Sequence, residues 1–565
     1  MSARAPRGFR DVLPAEARRR ERMCFEVGSY FEERGYGLIE TPIVEELDTL
    51  RSCAHCDADN SFRFVDVDGA MLALRSDVTV PIARVVATRF GAIEPPYRLR
   101  YNADIFREQE SLRGQPRSVR QLGIELIATD GAAADSEVVE LAVGAARTAG
   151  IASPVVGLSH IGVFSSLVTG FLGVGERSDA ILAAAHRGDF ISVRTLATEA
   201  TAGPASPLAD ALSGLTRIRG GREAIGQAWA LVGSLADGGG ARTIDSAAVA
   251  VEGSQRALDE LAAVYDLLDA RGIAGSVTVD FSVMRSFSYY TGVVFEIYAA
   301  GTGIALGGGG RYDQALASFG RDLPAAGFAL ELESVERALS EGAGVGVTAD
   351  DSPRRLRIAI PKGLLYEGSL DLLERAGFNV AALREPDRQL RIVTEQAEFV
   401  ISKPTDVAIY VASGAVDCGI GGRDTLVEAD YPLLEMVDLR FGECGFVVAQ
   451  PSSASPSLEE RAVSQGVVRV ATKYPRLAQR YFDNRSIPVE IVKLNGNIEL
   501  APLIGVADVI VDLTATGTTL RQNDLAIVEE VLASTARFVA NPASARTDSR
   551  VAELASTLYD LVREG

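Results

Sequence analysis

A chain of 565 residues exceeds what one hydrophobic core supports, and 47% apolar with 23% charged residues is ordinary for a globular protein, so several domains are expected. A net charge of −20 argues against broad, unspecific nucleic-acid binding, which needs a basic surface, although a local basic pocket for a nucleotide stays open. The first residues carry no apolar stretch, which predicts no secretion signal, and no run reaches the 18 or so apolar residues of a membrane span.

Residues 14–34 read as a helix. Cys53-Ala54-His55-Cys56 is the only close cysteine pair; the chain has three histidines in all, so zinc would be short of ligands and an ordinary loop fits better. Five cysteines suit a reducing, cytoplasmic setting. Runs at 71–75, 97–105, 124–128, 276–281 and 293–300 read as strands, and residues 198–268, rich in Ala and Gly with helical apolar spacing, as an inserted helical subdomain. Residues 340–353 form a Gly- and Asp-rich linker between domains at 1–339 and 354–565. Beyond it, strand and helix patterns alternate, with apolar runs at 407–411, 446–449, 467–471, 489–494 and 509–513. This predicts α/β domains with largely parallel sheets, whose ligands sit at the carboxyl ends of strands. Lys362, Asp417 and residues 508–520 are expected at such ends.

The stretch Asp508-Val-Ile-Val-Asp512-Leu-Thr514-Ala515-Thr516-Gly517-Thr518-Thr519-Leu520 carries the chemistry. It reads as a buried strand, a small-residue turn, and a helix running on through Val528. Backbone N–H groups and threonine hydroxyls at a helix amino end suit a phosphate group, and Gly517 lets the backbone approach it. Asp508 and Asp512, four residues apart on a strand, face the same way. Beside a phosphate they fit the hydroxyls of a sugar phosphate, directly or through Mg²⁺. A plain threonine-capped strand–turn–helix fits the same residues.

The second half resembles the short-form catalytic subunit of ATP phosphoribosyltransferase, the first enzyme of histidine biosynthesis. The resemblance rests on Ile360-Pro361-Lys362-Gly363, Ser413-Gly-Ala-Val-Asp417-Cys-Gly-Ile, Gly422-Arg423-Asp424-Thr-Leu, Ala471-Thr-Lys473-Tyr474-Pro475, Lys493-Leu-Asn-Gly-Asn-Ile-Glu499-Leu-Ala-Pro and the threonine stretch. It implies a two-lobed fold of the type II periplasmic-binding-protein kind, with crossings near Gly445 and Phe538. It also implies a reaction in which N1 of the ATP adenine attacks C1 of phosphoribosyl pyrophosphate. A ring nitrogen with a free lone pair needs no strong base, so catalysis would rest on positioning and on stabilising pyrophosphate with Mg²⁺ and cations. The resemblance makes Lys362, Arg423, Lys473, Asp508 and Asp512 the catalytic candidates. Glu499, Asp508, Asp512, Thr514, Ala515, Thr516, Gly517, Thr518 and Thr519 would bind phosphoribosyl pyrophosphate. Surface lysines and arginines beside a cleft would look the same. Two departures each remove a cation candidate: Leu364 and Gly445 stand where the family commonly has arginine.

The first half resembles class II histidyl-tRNA synthetases, an α+β fold on an antiparallel sheet, and more closely their regulatory paralogue in histidine biosynthesis. The matches include Leu74-Arg75-Ser-Asp77-Val-Thr79, Ile105-Phe-Arg107, Arg120-Gln121-Leu-Gly-Ile-Glu125, Tyr289-Tyr290-Thr-Gly292 and Gly308-Gly-Gly-Arg311-Tyr312-Asp313. Gln109 and Ser334 replace the glutamate and arginine that handle ATP in synthetases, so adenylation looks lost while the amino-acid pocket is kept. The resemblance implies a regulatory histidine held by Asp77, Thr79, Arg107, Gln121, Glu125, Arg285, Tyr289 and Tyr290, Glu125 accepting from its ammonium. Remnant core packing is the plain alternative. The readings in competition are a fused, histidine-inhibited enzyme that forms a homo-oligomer, a tRNA-related synthetase paralogue, and a non-catalytic histidine or nucleotide sensor; Ser334 and the acidic charge weigh against the second, the threonine loop against the third.

Overall fold

The computed structural model describes residues 5–52, 61–108, 116–201, 206–236, 244–284, 289–299, 302–344, 354–385, 388–453, 457–514 and 517–564. The Cys53–Cys56 loop, Gln109, Arg285, Ala515, Thr516 and most of the linker lie outside these residues. The chain divides into two units, Met1–Asp351 with Arg546–Asp548 and Ser352–Ala545 with Ser549–Gly565. Among the described residues no helix is long and apolar enough to cross a membrane.

The first unit is built on a nine-stranded sheet. Its strands are β1 (Tyr97–Phe106), β2 (Ser118–Ile127), β3 (Pro154–His160), β4 (Val277–Asp280), β5 (Val293–Ala299), β6 (Ala305–Arg311) and β7 (Ala325–Glu331), with two-residue strands at each edge. The order from Gly37–Leu38 is β1, β2, β7, β6, β5, β3, β4 and Arg219–Gly220. β1 and β2 pair antiparallel from Tyr97↔Ile127 to Phe106↔Ser118. Helices α1 (Pro14–Glu32) and α2 (Ala132–Thr148) contribute Phe31, Val138 and Ala142 to a core shared with Leu126 of β2 and Phe328 of β7. β6 is a run of glycine at its centre because its neighbours come close. A Cβ on Gly309 would overlap the Gly327 carbonyl, and one on Gly310 would run into the Tyr290 ring. Among the described residues, helices predominate from Ile161–Leu172 to Ile244–Ala270, with the two-residue strand Arg219–Gly220 between them, so the helical region starts well before residue 198. Ile161–Leu172 buries Ile161, Phe164, Val168 and Phe171 at helical spacing.

The second unit has two lobes. The first holds β8 (Leu356–Pro361), α3 (Tyr366–Arg375), β9 (Arg391–Val393), β10 (Ala397–Ser402), α4 (Pro404–Ala412), β11 (Cys418–Gly422), α5 (Arg423–Ala429) and β12 (Leu434–Asp438). The second holds β13 (Cys444–Pro451), α6 (Leu458–Gln465), β14 (Val468–Thr472), α7 (Pro475–Asn484), β15 (Val489–Lys493), β16 (Val509–Thr514), α8 (Thr518–Gln522) and β17 (Leu525–Ser534). The chain then returns through Thr535 to the first lobe as β18 (Ala536–Ala540). The sheet orders are β9-β10-β8-β11-β18-β12 and β15-β14-β16-β13-β17. Each sheet has three parallel strands, β10-β8-β11 and β15-β14-β16. The remaining pairs are antiparallel, so the sheets are mixed rather than largely parallel. The strands entering from the other lobe, β13 and β18, run against the parallel set. Residues 407–411 lie in α4, where Pro404 opens the helix and Val407, Ala408 and Val411 are buried at helical spacing. Residues 525–528, expected to continue a helix, begin β17. Asn523 turns back to the Thr519 carbonyl and Asp524 takes a left-handed φ of 54°, which ends α8.

One motif occurs in both lobes. In Gly414-Ala-Val-Asp417 and Gly505-Val-Ala-Asp508, the aspartate stands at the amino end of a central parallel strand. It takes the backbone N–H (2.9 Å) and the guanidinium (3.3 and 3.0 Å) of the second residue of the neighbouring strand, Arg357 or Arg469. The same guanidinium donates to the glycine carbonyl, at 2.8 Å to Gly414 and 3.0 Å to Gly505. Asp417 and Asp508 therefore sit at the amino ends, away from the ligand ends where they were expected. Asp417 is fully buried and also takes Arg354 and the Ser544 hydroxyl; Asp508 pairs with Arg469 and is partly exposed. Removing one member of a buried pair costs about 3–5 kcal/mol, whereas a partly exposed pair is worth about 1 kcal/mol or less. Asp417→Ala should therefore lower the unfolding temperature of the second unit clearly more than Asp508→Ala, as read by calorimetry; equal losses would show that burial does not set the difference.

Candidate functional site

In each lobe two neighbouring parallel strands end in candidate residues. In the first lobe β8 runs into Lys362, whose N–H donates to the Ser402 carbonyl (2.8 Å), and β11 into Arg423. In the second, β14 runs into Lys473 and β16 into the threonine loop. Arg423 is tied to the return crossing: its N–H donates to the Thr535 carbonyl (3.1 Å) and its guanidinium to that of Ala533 (3.4 Å). Beside it Asp424 is buried and exchanges two hydrogen bonds with Ser534, and burial pushes its carboxyl up.

The threonine loop is shaped by Gly517, with φ 67°, whose N–H donates to the Thr514 hydroxyl at 2.7 Å. A Cβ there would lie 3.2 Å from the Arg521 guanidinium in a backbone conformation that side chains disfavour. The guanidinium also reaches the Thr518 hydroxyl (3.3 Å). Thr518 and Thr519 are exposed. The helix that follows is five residues long, so loop amides and hydroxyls matter here more than a helix dipole.

Asp512 is the acid at this loop. Burial pushes its carboxyl up, the Leu513 N–H and the Lys473 charge oppose this, and Glu499 adds to it. Asp512, Lys473 and Glu499 thus share one electrostatic neighbourhood. Asp508 does not belong to it, because despite burial its carboxyl is held below the usual range by Arg469 at the far end of the strand. Sequence reasoning took strand spacing as a shared face and overlooked that an acid at the amino end meets the neighbouring strand's backbone. Leu364 is largely exposed, and Gly445 has room for a side chain, its nearest neighbour being the Thr514 carbonyl, 3.7 Å from a Cβ. Tyr474, absent from the predicted site, packs edge-on to Phe446 at 4.6 Å, and burial with Asp424 and Asp512 raises its hydroxyl.

The first unit places its candidates around one buried acid. Glu125 on β2 accepts from the Thr79 hydroxyl (2.9 Å) and the Tyr312 hydroxyl. Burial, with Asp77 adding, pushes its carboxyl up to about 8. A Cβ on Gly327 would overlap the carboxylate, which explains the glycine on the adjacent strand. Gln121 lies four residues earlier on the same face, also buried. Tyr289 stacks on Tyr312 at 5.3 Å and meets Tyr290 edge-on at 4.8 Å. Asp77 accepts from the Val80 N–H (3.0 Å). Arg107 turns to Glu331 (3.2 Å) and the Ser76 carbonyl (3.3 Å); burial pushes the Asp77 carboxyl up, and the Val80 N–H and the Arg107 charge oppose this only in part. Tyr312 belongs to the Gly308–Asp313 motif and is absent from the predicted site; its hydroxyl on Glu125 makes it one of the walls.

A family model described as histidyl-tRNA synthetase matches residues 8–335, and one described as ATP phosphoribosyltransferase matches residues 403–560. The ATP phosphoribosyltransferase of Rubrobacter xylanophilus is 46% identical over 212 residues, 38% of this chain and 97% of that one. The ATP phosphoribosyltransferase regulatory subunit of Geobacillus thermodenitrificans is 35% identical over 337 residues, 60% of this chain and 80% of that one. A solved ATP phosphoribosyltransferase regulatory subunit/histidyl-tRNA synthetase from Bacillus halodurans aligns with TM-score 0.53 at 27% identity, over 71% of this chain and 98% of that one. The chain therefore belongs to the ATP phosphoribosyltransferase family, and joins in one polypeptide a first half of the regulatory, histidyl-tRNA synthetase-like kind and a second half of the catalytic kind.

Proposed function

We propose that the second half transfers the phosphoribosyl group of phosphoribosyl pyrophosphate to N1 of ATP, releasing pyrophosphate, and that histidine bound in the first half inhibits it. The observation that carries the first part is the meeting of Asp512, Lys473 and the Gly517 loop at the carboxyl ends of β14 and β16, where α/β sheets take their ligands. In this reading Thr514–Thr519 hold the 5′-phosphate and Asp512 and Glu499 accept from the ribose hydroxyls. Lys473, Lys362 and Arg423 stabilise the charge that builds on the departing pyrophosphate. The nucleophile carries its own lone pair, so the site supplies placement and charge rather than a strong base. Among the described residues no group of three or more acidic, histidine or cysteine side chains could hold a metal by itself. Mg²⁺ would arrive on the substrate's phosphates, with Asp512 and Glu499 as its candidate protein contacts. Bound there it would neutralise the leaving group.

For the first half, support comes from a buried acid with two hydroxyl donors among tyrosine rings, a setting suited to an amino acid's ammonium and imidazole. Ser334 in the place of an ATP-binding arginine supports sensing rather than adenylation. The reading includes a homo-oligomer of the fused chain in the cytoplasm.

Gly517→Val puts a branched side chain where the backbone is left-handed and meets the phosphate. Its Michaelis constant for phosphoribosyl pyrophosphate should rise at least tenfold with the fold retained, while Asp512→Asn should lower turnover. Wild-type kinetics in both would remove this loop from the reaction.

Glu125→Ala should weaken histidine inhibition about tenfold to a hundredfold, the worth of one charge-assisted hydrogen bond, and leave uninhibited activity nearly intact. With its carboxyl pushed up to about 8, Glu125 is mostly protonated at neutral pH, and an ammonium would draw its proton off. Histidine affinity should then rise over roughly pH 6 to 8, with proton release seen by calorimetry in buffers of different ionisation enthalpy and lost in Glu125→Gln. Inhibition of Glu125→Ala equal to wild type would place histidine elsewhere.

A further inference from the structure

The amino end of α7 is satisfied from the other lobe. A helix leaves its first N–H groups without partners inside the helix. Pro475, first in α7, has no N–H, and the Tyr474 N–H is taken by the Thr472 hydroxyl at 3.0 Å. The Ala478 N–H makes the first bond inside the helix, to the Tyr474 carbonyl (3.0 Å). This leaves Arg476 and Leu477, and both donate to one side chain, Glu428 in the last turn of α5, at 3.3 and 3.0 Å. The contact is returned, since the Arg476 guanidinium donates to the carbonyls of Glu428 (3.4 Å) and Ala429 (3.0 Å) at the end of α5. A carboxylate at a helix amino end and a cation at a helix carboxyl end are each favoured by the local field as well as by the hydrogen bonds.

The two helices joined in this way begin at the two cation candidates. α5 opens with Arg423 in the first lobe, and α7 follows Lys473 and Tyr474 in the second. Glu428 lies one and a half turns along α5 from Arg423, and its acceptors hold amides three and four residues beyond Lys473. We propose that Glu428 is a positioning residue for phosphoribosyl transfer: by capping α7 across the lobes it fixes Lys473 relative to Arg423, so that both meet the same pyrophosphate. The proposal rests on reading those two cations as the pyrophosphate contacts. It differs from a purely structural role in one respect, that Glu428 matters to the rate only through the cation it places.

The test is a double-mutant cycle in the full-length enzyme, with kcat and KM measured for Glu428→Ala, Lys473→Ala and the double variant, and Glu428→Gln as the conservative control. A misplaced cation should cost Glu428→Ala on the order of tenfold or more in kcat, with KM for phosphoribosyl pyrophosphate changed less than about threefold. Glu428→Gln keeps an oxygen acceptor and should retain most of the activity, which also covers the case in which the alanine variant folds poorly. The double variant should be no slower than Lys473→Ala alone, because the two residues act through one interaction. Losses that multiply, or wild-type turnover in Glu428→Ala, would overturn the positioning role while leaving Lys473 in the site. Wild-type turnover in Lys473→Ala would instead sink the cation assignment and the proposal with it.

Discussion

The catalytic half depends on how its parallel strands are tied at one end. In both lobes an aspartate at the amino end of one central strand binds the backbone and guanidinium of its neighbour, Asp417 with Arg357 and Asp508 with Arg469. A parallel pair lacks the tight hairpin that sets register in an antiparallel one, and a charge-assisted bond to a backbone N–H is a strong alternative. Fixing the amino ends leaves the carboxyl ends free to carry Lys362, Arg423, Lys473 and the threonine loop. The acid that ties the fold and the acid proposed to face the ligand are thereby kept apart along β16, with Asp508 at one end and Asp512 at the other.

That separation also sorts the charges. Asp417 and Asp508 sit against arginines, and their carboxyls stay ionised well into acid. Asp512, Asp424 and Glu428 lie where the lobes meet, and burial pushes each of them up. With Leu364 and Gly445 where arginines are common, Lys362, Arg423 and Lys473 are the cation candidates that these strand ends carry. In the first unit Glu125 is buried with hydroxyl donors rather than a cation, and those two hydrogen bonds only partly offset the burial that pushes its carboxyl up.

Much of this was legible in the sequence. The alternation of apolar runs after residue 354 marked the strands of an α/β unit, and the motif order identified both halves. The position of Asp508 was not legible, because spacing on a strand gives a face but not which end meets the ligand. The strand β17 was missed because Leu525–Val528 is apolar with no clear period, and only the left-handed Asp524 marks the break. Mixed strand direction was missed because it follows from the chain crossing between lobes, which local pattern does not report. The cap from Glu428 to α7 joins residues 48 and 49 positions apart, and no signal in the sequence pairs them.

In the proposed enzyme a ligand of the first half controls the second. Coupling between two sites is reciprocal, so the claim can be tested from the side of the effector. The measurement is the dissociation constant of histidine for the full-length protein, by calorimetry, with and without saturating phosphoribosyl pyrophosphate and Mg²⁺ but no ATP. The account predicts that the substrate weakens histidine binding by the same factor by which histidine weakens binding of the substrate. A histidine affinity that the substrate leaves unchanged would contradict coupling between the two halves, and an undiminished histidine affinity in Glu125→Ala would contradict control through this pocket of the first half.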